Sequence, residues 1–197
     1  MKKIYFLIAL SLITFTGFSQ KKKVVKKATA KSAFIVLAKN GNLSAELDKN
    51  KFYLFTDASR KDTIVLKKFE KAILPTECKI TPFTAKGTAL YCITWIEKNV
   101  PDTQLKNEEA TTIFNEIWDV NTKTQVLANN QTTTKITEIV FLDKNKTVSE
   151  TREKMRREGF EFTLTKEGDV ILKNKSQENK MTYSAADKKY VSAVKKK

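Results

Sequence analysis

The chain has 197 residues, 37 Lys or Arg against 22 Asp or Glu, a formal charge of +15 and no histidine. Without histidine, Ser-His-Asp and Cys-His catalysis are excluded and the commonest metal ligand is missing; two cysteines alone cannot build a structural zinc site. Five glycines supply no phosphate-binding loop, and no cofactor signature is present.

Lys2 and Lys3 precede an apolar run from Ile4 to about Phe15, closed by Gly17, Phe18 and Ser19. A basic start, a short apolar stretch and a small–x–small end read as a secretory signal peptide over residues 1–19, cut to leave Gln20. The run is too short for a spanning helix, which takes roughly 20 apolar residues. No cysteine follows it for lipid attachment. The expected destination is the periplasm or the exterior of a bacterial cell.

Next comes a basic arm over residues 20–32, with Lys21, Lys22, Lys23, Lys26, Lys27 and Lys31. Lys188, Lys189 and a basic tail at residues 195–197 close the chain. Between Ser32 and Asp187, 24 basic residues meet all 22 acidic ones, so the body carries only +2. A folded nucleic-acid domain would carry its basic stripe within the fold. The terminal partition instead predicts solvated arms, and argues against a specific nucleic-acid partner. An acidic envelope surface or polysaccharide is the candidate partner, with Lys21, Lys22, Lys23, Lys26 and Lys27 as the contacts.

From Ala33 onward, short β-prone runs alternate with turn signals. The runs are Phe34–Ala38, Phe52–Thr56, Thr63–Lys67, Cys78–Pro82, Ala89–Glu97, Thr112–Asp119, Gln125–Asn129, Thr133–Leu142, Phe160–Thr165, Val170–Asn174, Lys180–Ser184 and Tyr190–Val194. They predict one mainly β domain over residues 33–194, an antiparallel meander or sandwich, with α+β as the alternative. Pro101–Glu109 is the one polar stretch that could divide it.

Around Lys166-Glu167-Gly168 the sequence predicts a hairpin with a G1 bulge, pairing Leu164 with Val170. That register puts Phe160, Phe162, Leu164, Val170 and Leu172 on one core face. A second hairpin is expected at Thr84-Ala85-Lys86-Gly87. With residue 78 opposite 94 and 92 opposite 80, Cys78 and Cys92 become near neighbours on one face. An even cysteine count in an exported chain then predicts a disulfide between them. One helix is expected over 148–158, from Thr147 as N-cap, Glu150 completing a capping box and Gly159 as terminator.

Ile117-Trp118-Asp119-Val120-Asn121-Thr122 resembles the strand end of a WD-type propeller blade over about ten residues. Lys123 stands where such blades place Gly, and no 40-residue repeat accompanies the segment. It therefore reads as an ordinary hairpin with Trp118 buried. Glu108-Glu109 with Asp102 is a local acidic cluster whose adjacent side chains diverge. Arg152-Glu153-Lys154 and Arg156-Arg157-Glu158 read as a solvated face with surplus positive charge.

These observations predict an exported, non-enzymatic binding or structural protein of the cell envelope or exterior, with no cofactor, metal site or catalytic residues. The alternative is a hydrolase built on carboxylates or on a Ser/Lys pair. Two converging carboxylates, or a Ser beside a buried Lys, would favour the enzyme. Trp95, Trp118 or Tyr183 exposed together would favour a binding face. A membrane barrel is disfavoured by the short, interrupted strands.

Overall fold

Among the described residues, thirteen strands follow one another in chain order, all paired antiparallel, with no helix. The computed structural model describes residues 34–70, 74–101 and 103–192. The expected signal peptide, the arm with Lys21, Lys22, Lys23, Lys26 and Lys27, the tail at 195–197 and Asp102 lie outside the described residues.

The first sheet holds β1 (Ile35–Asn40), β2 (Leu43–Asp48), β3 (Lys51–Phe55) and β4 (Thr63–Lys68). The second holds β5 (Thr76–Ala85), β6 (Thr88–Asn99), β7 (Lys106–Asp119), β8 (Thr124–Phe141) and β9 (Ser149–Gly159). The third holds β10 (Glu161–Leu164), β11 (Val170–Lys173), β12 (Glu178–Ser184) and β13 (Lys189–Ser192). The fold is thus mainly β and antiparallel, as the alternation of β-branched and aromatic residues requires.

Two apolar clusters hold the sheets together. Ile80, Ile93, Trp95 and Trp118 on one face of the second sheet pack on Leu43, Leu47, Phe52 and Leu54 of the first. On its opposite face, Leu90, Cys92 and Ile117 pack on Val170, Tyr183 and Tyr190 of the third sheet. The second sheet is therefore covered on both sides near the β5–β6 turn, where each buried large side chain contributes about 1.5–3 kcal/mol. The described residues form one compact unit.

The 166–168 hairpin forms with Leu164 opposite Val170, and Phe162, Leu164 and Leu172 join the cluster around Val170. Gly168 takes φ +81°, and a Cβ there would stand 2.8 Å from the Cβ of Ala85. Tyr190 Oη donates to the Gly168 carbonyl at 2.7 Å, tying β13 to this turn.

Three expectations need correction. Residues 149–159 form a strand, not a helix. The 18-residue β8 presents a long edge, and β9 pairs with it continuously from Phe141↔Ser149 to Gln131↔Gly159. Asp143 captures the N–H groups of Thr147 and Val148, so Thr147 closes a hairpin loop instead and Glu150 enters the ladder opposite Val140. Propensity is weak against eleven residues of ladder pairing.

The cysteine pairing fails for a reason of register. Lys86 and Gly87 both take positive φ, 48° and 82°, so the turn is a two-residue loop with Ala85 opposite Thr88. Cys92 then faces Thr81, and Lys79 faces Thr94. One step of register moves a side chain to the other face of a strand. Cys78 joins the cluster against the first sheet and Cys92 the cluster against the third, and both thiols are free.

The third correction is a strand absent from the sequence reading. Leu43–Asp48 (Leu-Ser-Ala-Glu-Leu-Asp) lies between β1 and β3 with five of its six residues buried. No helix of the described residues is long and apolar enough to cross a membrane.

Candidate functional site

The longest strands determine where a site can form. β7, β8 and β9 run on past the packed part of the second sheet as a three-stranded ribbon, with β9 exposed along its whole length. Gly159 turns the chain directly from β9 into the third sheet, where Glu161 pairs with Lys173. A cleft of about 400 Å³ opens at that junction, lined by Gln131, Arg157, Glu161, Lys173, Lys175 and Ser176 among others.

Its cationic groups come from separate strands. Arg157 projects from β9, Lys173 ends β11, and Lys175 sits in the turn to β12. That turn is fixed by Asn174, whose Oδ1 accepts from the Ser176 and Gln177 N–H groups, each at 2.9 Å, and from Ser176 Oγ at 3.0 Å. Lys173 has a loose partner in Glu178 at 3.4 Å, while Arg157 forms no ion pair among the described residues. Three cations against the single lining carboxylate of Glu161 suit an anion, and a guanidinium presents the planar fork that carboxylate, sulfate or phosphate matches. Gln131 and Ser176 add neutral donors and acceptors.

A second constellation lies between the first and second sheets. Lys67 Nζ meets both Glu97 oxygens at 2.7 Å, and Trp95 Nε1 donates to Glu97 Oε1 at 2.8 Å. The ammonium also sits 4.0 Å from the Phe114 ring centre, and Phe114 stacks on Trp95 at 4.9 Å. On the next strand, Trp118 Nε1 donates to Glu116 Oε2 at 2.8 Å. Burial pushes the Glu116 carboxyl above its ordinary range, against the hydrogen bonds from Trp118 and Gln125 and the charge of Lys67.

These carboxylates sit on separate strands. Glu116 lies opposite Ile93 and Glu97 opposite Thr112, a separation of four residues or about 13 Å along the ladder. Each carboxylate is committed to an indole two residues away on its own strand. The buried Ser44 donates to Glu46 Oε1 at 2.8 Å, and Arg60 meets Glu46 Oε2 at 2.8 Å, so that serine faces a carboxylate.

The residues singled out from the sequence fall as follows. Trp95, Trp118 and Tyr183 are all buried and form no exposed aromatic face. Asp119 closes its hairpin by accepting from Asn121 and Thr122 N–H groups, as an ordinary turn residue does. Glu108 and Glu109 occupy successive positions of β7, and Lys106 pairs with Glu108, holding its carboxyl below the usual range. Burial raises the Cys92 thiol to about 11 and the Cys78 thiol to about 12, which leaves both unreactive at neutral pH. Among the described residues, no three His, Cys, Asp or Glu side chains gather as a metal site would require. Of the Arg152–Glu158 run, Arg157 is the residue the fold brings to a cleft. Sequence alone could not pair it with Lys173 and Lys175, because Gly159 creates that junction.

Comparison with known protein families, curated proteins and solved structures gave no match.

Proposed function

We propose that the protein is an exported, non-enzymatic binding protein of a bacterial envelope, holding an acidic polymer through the Arg157–Lys173–Lys175 cleft and its basic ends. The observation that carries this reading is the meeting of three cations from β9, β11 and the following turn around a cleft with one carboxylate. The Lys2–Ser19 pattern supports export, and the terminal lysines concentrate positive charge at the ends of the chain. The commitment of Glu97 and Glu116 to separate indole donors supports binding rather than hydrolysis.

The test is titration of the mature chain with polygalacturonate at several salt concentrations. Each neutralised anionic group releases counterions, so the slope of log affinity on log salt counts contacts. R157Q/K173Q/K175Q should weaken binding and lower that slope by about 3. Unaltered affinity and slope would remove the cleft from the function. Catalytic shortening of the polymer by the parent protein would overturn the non-enzymatic reading.

A further inference from the structure

The far end of the β7–β9 ribbon is apolar where its flanks are charged. Leu105, Ile139, Leu142 and Val148 are exposed at 47, 40, 56 and 54 %. Ile139 N–H donates to the Leu105 carbonyl at 2.8 Å, and Leu142 N–H to the Val148 carbonyl at 2.9 Å, so the four cap the same end of the ribbon. Alternation along β8 puts Ile139 on one face and Leu142 on the other. Both faces of the tip therefore show hydrocarbon to solvent, and no charged side chain of β8 follows Glu138 before the loop.

The loop carries two lysines against one carboxylate, a net charge of +1. Lys144 and Lys146 are both exposed, while the carboxylate of Asp143 is turned onto its own backbone by Thr147 N–H, Thr147 Oγ1 and Val148 N–H at 2.8–2.9 Å. Eleven residues of paired strand hold this loop roughly 35 Å from Gly159. An exposed apolar cluster at the end of a paired ribbon, with two ammonium groups beside it, matches the boundary between acyl chains and acidic headgroups.

We propose that the ribbon tip inserts into the surface of an anionic lipid bilayer, with Leu142, Val148, Ile139 and Leu105 entering the interfacial layer and Lys144 and Lys146 meeting the headgroups. The site is separate from the Arg157 cleft and stands whether or not that cleft binds a polymer. The net positive charge of the loop selects an anionic lipid surface over a second copy of the chain, because two such tips would bring loops of the same sign together.

The experiment uses the full mature chain and vesicles of phosphatidylcholine with phosphatidylglycerol. Trp95 and Trp118 are buried, so Leu142→Trp adds the one tip reporter. Its emission should shift to the blue on vesicle addition and be quenched by brominated acyl chains. I139S/L142S/V148S should bind these vesicles at least about tenfold more weakly at half-molar salt, where the contribution of the basic arms is screened. Polygalacturonate binding should be unchanged by the same substitutions, which separates this proposal from the cleft. An emission spectrum of Leu142→Trp that vesicles leave unaltered would overturn the proposal. So would full salt-resistant binding by the triple variant, or concentration-dependent self-association of the parent that the triple variant abolishes.

Discussion

A Cβ placed on Gly159 would stand 2.2 Å from the carbonyl oxygen of Asn130, inside the closest approach that two such atoms make. Gly159 also takes φ +84°, a region that favours glycine. The chain crosses β8 at this point, and Asn129 Nδ2 fixes the crossing by donating to the Phe160 carbonyl at 2.9 Å. The junction that forms the basic cleft thus depends on the absence of one methyl group.

Gly159→Ala should accordingly destabilise the protein by about 2–4 kcal/mol, combining backbone strain with displacement of β8. Urea unfolding measures this directly. A midpoint equal to that of the parent would mean that β9 and β10 do not pass over Asn130 as described.

Glu116 supplies a prediction of opposite sign. Its folded carboxyl lies above the ordinary value of 4.5 because burial disfavours the charged form. The folded state then holds more protons than the unfolded state, so stability is greatest below 4.5 and is lost as pH rises through the folded value. Glu116→Gln keeps an acceptor for Trp118 Nε1 and removes the buried charge. The variant should be more stable than the parent at pH 7, and the difference should vanish near pH 4. Lower stability of the glutamine variant at neutral pH would refute the assignment.

Lys67 and Glu97 behave as a clamp between the first two sheets. Replacing Lys67 by Met leaves the Glu97 carboxylate, 10 % exposed at its side chain, with Trp95 Nε1 as its remaining close donor. The loss should be about 2–3 kcal/mol, less than for a fully dry pair because the lysine side chain is 30 % exposed. K67M/E97Q should recover part of that loss in thermal unfolding. Equal midpoints for K67M and the parent would show that the pair does not hold the sheets.

The legible part of this fold is the part in which local signals and tertiary contacts agree. Leu164 alternates with polar residues and flanks a Gly turn with Val170, and their pairing forms as the sequence predicts. Leu43–Asp48 carries Leu, Ala and Glu, which favour helix, yet it becomes a strand because β1 and β3 pair with it on both sides. The turn at Lys86-Gly87 was locatable, but its length was not, and one residue of register separated the cysteines. Lys67 and Glu97, 30 positions apart, carry no local sign of each other. Arg157 shows the same limit for the cleft, since its surplus charge was visible and its partners on β11 were not.

The charge of β9 has a further consequence at its outer edge. β9 ends its sheet, so half of its backbone groups face outward without a strand partner among the described residues. Glu150, Arg152, Lys154, Arg156 and Glu158 alternate along it on one face. If two β9 edges met antiparallel about Lys154, that register would place Arg152 against Arg156 and Glu150 against Glu158. Like charges directly opposite are destabilising, and charged edges are a common defence against unwanted pairing. R152T/K154V/R156T would replace this row with β-formers while leaving Arg157 and the cleft in place. That variant should move to higher apparent mass in sedimentation at about 100 µM, with its circular dichroism unchanged. Salt should not reverse the association, because backbone pairing would hold it. A sedimentation profile identical to that of the parent would show that something other than charge keeps this edge unpaired.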